Sequence, residues 1–267
     1  MTATRKRVFT PPVVIPGILG LLGLLTILAP ARSLTQYVLA SVLVTGAGAL
    51  LALAVHEAGH VLAGRLVHFR FARLAAGPVR LDARPYGGLS VGWNDHWRRI
   101  GLAVSVPPDT ERLRRRQIIF MAGGLLATVT AGVLALNVQD RVGGPVQTWL
   151  FEDGTRSLTY LVGVHFLYFF GWFSCFLGLI NLLPGEVAGL RTDGGWIAAL
   201  GRGGPGAKAA SATLALTSAI LAGARAHPLI PIWIGQMQAV EGVLAREAML
   251  ETLAQILQDA PVDLRGK

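Results

Sequence analysis

Four stretches of this 267-residue chain, Val8–Ala31, Ser33–Val55, Gln117–Gln139 and Ser157–Gly185, contain no Asp, Glu, Lys or Arg. As a helix, each is long enough to cross the roughly 30 Å of hydrocarbon in a bilayer. In lipid every backbone N–H and C=O must be satisfied within the spanning element, so such stretches are expected to be helices. Composition points the same way. The chain is 52% hydrophobic and only 15% charged, with a mean hydropathy of +0.53, which is too apolar for an ordinary soluble domain. The expected fold class is an all-α polytopic membrane protein of about four transmembrane helices.

The net charge of +9 raises the question of nucleic acid, and the placement of the charges answers it. With the chain starting inside, the four spans leave the N-terminus, the 65–116 connection and the C-terminal tail in the cytoplasm. Three basic residues precede the first span, eleven lie between 65 and 116, and seven follow from Arg191 onward. Only Arg32, Arg141 and Arg156 fall on the other side. This is the asymmetry that the positive-inside rule describes, and it leaves nucleic acid unneeded. A multi-pass cell-membrane protein with both termini cytoplasmic is the expectation. Arg5-Lys6-Arg7 before an apolar stretch resembles a signal peptide, but the Val13–Ala29 core exceeds a usual h-region and Pro30-Ala31-Arg32 is a poor cleavage site. A retained helix is expected there.

The second span closes on His56-Glu57-Ala58-Gly59-His60. Spacing i, i+4 places both imidazoles on one helix face, where two neutral nitrogens can hold Zn²⁺. The intervening Glu57 can take a proton from a water that the ion activates. Ionisable groups at the end of a lipid-length segment are costly and call for partners or a function. Downstream, Asn181-Leu182-Leu183-Pro184-Gly185 ends the fourth span. Pro184 removes a backbone donor and breaks the helix, so the chain can turn back and present Asp193 as a third ligand. A His₂Asp set leaves a position for water, as catalytic zinc requires. Cys175, the single cysteine, excludes an internal disulfide and is expected to be a small hydrophobe. His165 is expected to be a buried hydrogen-bonding residue rather than a ligand.

Between spans two and three, Phe69, Phe71, Val79, Leu81, Leu89 and Val91 sit at odd positions. Gly77-Pro78 and Pro85-Tyr86-Gly87-Gly88 are turn signals, so short strands or a hairpin are expected over 69–93. Trp93, Trp97, Arg98 and Arg99 read as an interfacial segment, and Arg112, Arg114, Arg115 and Arg116 as an electrostatic stop before span three. In that span Ala122-Gly123-Gly124 permits close approach of another helix. From about Gly203, Ala209–Ala224 is uncharged but short, and Trp233, Met237, Val240 and Leu244 repeat at helical spacing. A small cytoplasmic helical region is expected, with a fifth span as the alternative. The organisation is therefore an N-terminal helix over 1–32, a membrane core over 33–200 and a C-terminal region over 201–267.

HEAGH in one span, with Asn181-Leu182-Leu183-Pro184 and Asp193-Gly194-Gly195 following another, resembles the site-2 protease family of intramembrane zinc metalloproteases (peptidase family M50). The resemblance covers about residues 35–200. It implies zinc held by His56, His60 and Asp193, Glu57 as catalytic base, Asn181 positioning a substrate strand, and Gly77-Pro78 in a membrane-associated β-hairpin. Two departures stand out. Nine steps separate Pro184 from Asp193, where the family has only a few residues, which leaves Glu186 as the alternative ligand. Gly124 stands where the family commonly has Pro, with Thr128 the nearest polar residue in place of a following Asn.

The expected function is hydrolysis of a peptide bond within or near the transmembrane segment of a membrane protein, probed most simply with a single-span substrate held extended by an edge strand from 69–93. The alternative is a membrane zinc-binding regulator or scaffold of the same fold, with the C-terminal region binding a protein partner. A metal transporter would need acidic or His residues spread over several spans, and spans one and three have none.

Overall fold

The computed structural model describes residues 34–84, 87–94, 101–143, 158–187, 190–222 and Ile232. Among them are five helices and six short strands. Helix α1 is Leu34–Leu66, α2 is Leu113–Gly143 and α3 is Leu158–Leu182. Segments Val42–Leu66, Leu113–Val142 and Val162–Leu182 are long and apolar enough to cross a membrane. These correspond to the second, third and fourth expected spans, and the expected N-terminal helix lies outside the described residues. The chain is a membrane protein by this measure, mostly helical, with a small antiparallel sheet. It forms two compact units, Met1–Ala52 with Gly132–Phe173, and Leu53–Ala131 with Ser174–Lys267.

In the first unit small residues set the helix spacing. A side chain at Gly48 would press on the backbone of Phe170, and one at Gly171 would strike Leu136.

The second unit holds the sheet and all of the chemistry described below. Helix α1 stops at the basic residue Arg65. His68 then adopts a left-handed φ of 61° and the Phe69 N–H reaches back to Gly64 O at 2.8 Å, a closure that satisfies an end carbonyl and turns the chain out of the helix. Strands β1 (Arg70–Ala76), β2 (Val79–Ala83), β3 (Leu89–Trp93) and β4 (Gly101–Val106) follow. They pair antiparallel in the order β3-β2-β1-β4. The short strands expected over 69–93 are thus β1, β2 and β3, with β2 and β3 a hairpin and β4 added beside β1. Trp93, expected in an interfacial segment, ends β3, and Trp97, Arg98 and Arg99 lie outside the described residues.

Alternation along the hairpin holds: Val79 faces Trp93, Leu81 faces Val91 and Ala83 faces Leu89. Strand β1 departs from it because a register shift between Phe71 and Arg73 inserts an extra residue. The apolar parity therefore moves from odd positions to Leu74, which pairs with Leu81. On the opposite face Asp82 receives Arg73 at 2.6 Å and Arg80 at 2.7 Å. Asn94 fastens the end of β3 to the Gly77-Pro78 turn, donating its side-chain amide to Gly77 O at 2.9 Å and its backbone N–H to Pro78 O at 2.8 Å.

Arg116 does more than stop a span. Its guanidinium donates to Val67 O at 2.9 Å and to Asp109 at 2.5 Å and lies over the Phe69 ring, joining the end of α1 to the start of α2. Arg112, Arg114 and Arg115 are exposed, as expected of them.

After α3 come the two-residue strands β5 (Glu186–Val187) and β6 (Leu190–Arg191), then α4 (Asp193–Gly201) and α5 (Gly204–Leu221). Helix α5 packs on β4 and on a core of Val67, Phe69, Leu113, Phe120 and Met121 through Ala212, Ala215, Leu216 and Ala219. It is not among the helices long and apolar enough to span. A buried polar link from it is reciprocal: Gln117 donates to Ser211 O at 2.8 Å and accepts from Ser211 Oγ at 2.6 Å. The stretch from Trp233 to Leu244 lies outside the described residues.

Candidate metal centre

One helical turn of α1 carries His56, Glu57 and His60, all buried. Helix α2 packs closely against this turn, with only small residues where Gly59 and Gly123 meet. A side chain at Gly59 would strike Gly123 O, and one at Gly123 would strike Ala63 and Gly59 O. This is the close approach expected of Ala122-Gly123-Gly124. Gly124 has a sharper role, since a Cβ there would collide with Nε2 of His60.

The hydrogen bonds of the two rings fix where their protons lie. His60 Nδ1 is 2.9 Å from Phe120 O, and a carbonyl only accepts, so this nitrogen carries the proton. His56 Nδ1 is 2.9 Å from Thr128 Oγ1. The Thr128 hydroxyl spends its hydrogen on Gly124 O at 2.5 Å, so it accepts from His56, which is again protonated at Nδ1. The two Nε2 atoms face each other at 3.2 Å, and in the neutral rings these are the nitrogens with lone pairs to offer.

Into the same space Asp193, the first residue of α4, brings Oδ2, at 3.0 Å from His56 Nε2 and 3.3 Å from His60 Nε2. That oxygen is buried with no hydrogen-bond partner. The three groups converge in a buried place where a shared cation would satisfy them together.

The spacing suits a small metal ion. Bonds of about 2.0–2.1 Å in a tetrahedral set put donor atoms about 3.3 Å from one another, close to the three separations here. His56, His60 and Asp193 can hold a metal ion, and the donor set of two imidazoles and a carboxylate, each ring oriented by a hydrogen bond through its other nitrogen, is that of many metalloproteins.

Asp193 reaches this place despite its distance in sequence from Pro184. The intervening segment is a small antiparallel hairpin in which Glu186 pairs with Arg191 and Val187 with Leu190. Thr192 N–H donates to Gly185 O at 3.0 Å, so the hairpin is closed at its base. The nine steps from Pro184 to Asp193 are therefore an excursion that returns to its starting point. Gly194 is required beside it, since a side chain there would overlap the Leu182 carbonyl. Glu186 lies in β5, and its side chain falls outside the described ones.

Glu57 is placed by strand β4. Its carboxylate lies against the α-carbon of Gly101, where a Cβ would strike Oε1, and Ser105 of the same strand approaches Gly64 of α1. Strand β4 thus runs along α1, with Gly101 over the carboxylate. Of the expected site residues, His56, His60 and Asp193 converge and Glu57 adjoins them in sequence. The Asn181 amide donates to Leu177 O, one turn back in its own helix, at 3.0 Å. Cys175 is a free thiol in α3. His165 stacks with Phe169 in its own helix and is not one of the converging groups.

Compared with protein-family models, with curated proteins and with solved structures, the chain finds no match.

Proposed function

We propose that this protein is an intramembrane zinc metalloprotease that hydrolyses a peptide bond within or near the transmembrane segment of a membrane-protein substrate. The observation that carries the proposal is the convergence of His56 Nε2, His60 Nε2 and Asp193 Oδ2 in a buried place, with Glu57 in the same turn of α1 as the two histidines. Two imidazoles and a carboxylate favour zinc among the common divalent ions, since magnesium and calcium prefer all-oxygen sets. A purely structural site would have no use for a buried carboxylate beside its ligands.

Bound there, zinc would lower the pKa of water toward neutrality and polarise a carbonyl. The residues of this chain do the rest. Glu57 takes one proton from the attacking water as its oxygen adds to the peptide carbonyl carbon. The same carboxyl then gives that proton to the departing nitrogen as the C–N bond breaks, and it is returned to its starting state. The Gly101 backbone beside Glu57 keeps the carboxylate on one side. A substrate helix hides its peptide bonds, so it must unwind first, and an extended strand is held best by an unpaired sheet edge. Edge strand β4 begins beside Glu57, which favours it over β3, the edge within 69–93, which β1 and β2 separate from β4. Asn181 is assigned to substrate positioning by the family resemblance alone.

The distribution of basic residues supports a cytoplasmic placement of both termini. The test is zinc content and cleavage in the same detergent-purified samples, wild type beside Glu57→Gln and Asp193→Ala, with a single-span substrate. One zinc per chain, retained in Glu57→Gln and weakened in Asp193→Ala, with cleavage in wild type only, is the expected result. Stoichiometric zinc without cleavage of several substrates moves the assignment to a zinc-binding regulator, and a wild-type chain without zinc overturns it.

A further inference from the structure

The third ligand belongs to a separate piece of chain from the other two, and one side chain holds that piece in place. Thr192, just before Asp193, is buried. Its hydroxyl donates to Leu183 O at 2.7 Å, where the chain leaves α3. The same oxygen accepts from Gly195 N at 3.1 Å, the N-cap bond of α4, and from Gly185 N at 3.2 Å. The backbone of Thr192 adds bonds from its N–H to Gly185 O and from Trp196 N–H to its carbonyl. One hydroxyl therefore joins the end of α3, the base of the β5–β6 hairpin and the first turn of α4.

We propose that Thr192 is a positioning residue for the metal ligand Asp193, a role that rests on the metal-centre reading above. The physical reason is specific. Asp193 follows a broken helix and a six-residue excursion, Glu186–Arg191, so its distance from α1 is not fixed by any continuous helix. Without the hydroxyl, two N–H groups and a carbonyl lose a shared partner, and the first turn of α4 is free to rotate away from the histidines. The neighbouring contacts leave little slack. Arg191 lies over the Trp196 ring at 4.9 Å, and a Cβ at Gly195 would come within 2.8 Å of Gly185 O.

The experiment uses the full-length chain in detergent and reads metal rather than turnover. Zinc affinity is measured by competition with a chromophoric chelator, and the visible absorption of the Co²⁺-loaded protein reports the ligand set. Thr192→Val, which keeps the shape and removes the hydroxyl, is expected to weaken zinc by about 10–100-fold and to move the Co²⁺ spectrum toward that of Asp193→Ala. Thr192→Ser is expected to match wild type in both. Wild-type affinity and spectrum in Thr192→Val overturn the proposal while leaving the metal centre standing. A wild-type chain that binds neither ion overturns the metal centre, and this proposal with it. If Thr192→Val is not recovered as a monodisperse helical protein, Thr192→Ala is compared with Thr192→Ser. Weaker metal in Ala alone supports the assignment, and equal affinity in the two overturns it.

Discussion

Nδ1 of His56 on α1 lies 2.9 Å from Oγ1 of Thr128 on α2, a contact between residues 72 apart in sequence. Because Thr128 has already given its hydrogen to Gly124 O, the contact selects an orientation and places a proton at Nδ1, with Nε2 turned toward His60 and Asp193. Thr128→Val retains the shape and removes the acceptor. Zinc affinity measured by chelator competition is expected to fall about 10–100-fold, with Thr128→Ser close to wild type.

Gly124 is the tightest position around His60. A methyl group there would overlap the Nε2 atom that faces His56 and Asp193, and the ring cannot retreat without leaving Phe120 O. Gly124→Ala is expected to lose zinc as completely as His60→Ala does, as metal analysis of the purified variants would show, while keeping the helical content of wild type by circular dichroism.

Gly101 separates binding from chemistry. A methyl group at this position displaces the Glu57 carboxylate without touching the three ligands. Gly101→Ala is expected to bind zinc like wild type and to cleave a single-span substrate about a hundredfold more slowly or worse, the usual scale of a lost general base. Loss of zinc in this variant would show that β4 holds the ligands too.

Ion and proton compete for the same lone pairs. Imidazole nitrogens and carboxylate oxygens bind a metal ion only without their protons. Zinc affinity should therefore decrease as pH falls, by about tenfold per pH unit for each proton displaced. A titration series between neutral and mildly acid pH, read by the chelator, checks the sign and the slope.

Removal of the ion leaves three buried acceptors facing one another, so the metal-free chain should be the less stable one. At a free zinc concentration about 100 times Kd, binding is expected to add about 2.7 kcal/mol. Thermal unfolding with and without chelator is the measurement, and Asp193→Ala should show a much smaller difference.

The spans in α1, α2 and α3 were legible because lipid length and lack of charge are properties of contiguous sequence. HEAGH was legible for the same reason, its two imidazoles lying on one face by helix geometry alone. Thr128 was noted only as the nearest polar residue in its span, since a hydroxyl 72 residues from its histidine carries no local mark of its partner. The six-residue hairpin made Asp193 look remote from Pro184, and no pattern in the sequence states that Gly185 and Thr192 are bonded. Strand β4 was missed because Gly101–Val106 is short and preceded by the Trp and Arg residues that suggested a membrane interface. The bulge at Phe71–Arg73 hid the parity of β1, as an inserted residue reverses every side chain beyond it.

At Gly59 and Gly123 the main chains of α1 and α2 approach closely, with the methyl groups of Ala63 and Ala127 beside them. A crossing padded by long side chains can breathe through rotamer changes, a fraction of an ångström at a time. Glycine and alanine have no rotamers to change, so the distance from His56 and His60 to their supports on α2 is set largely by the two backbones. Such a joint is stiff until it opens, and on heating the ion should leave in one cooperative step as the helices part rather than through gradual loosening of the site.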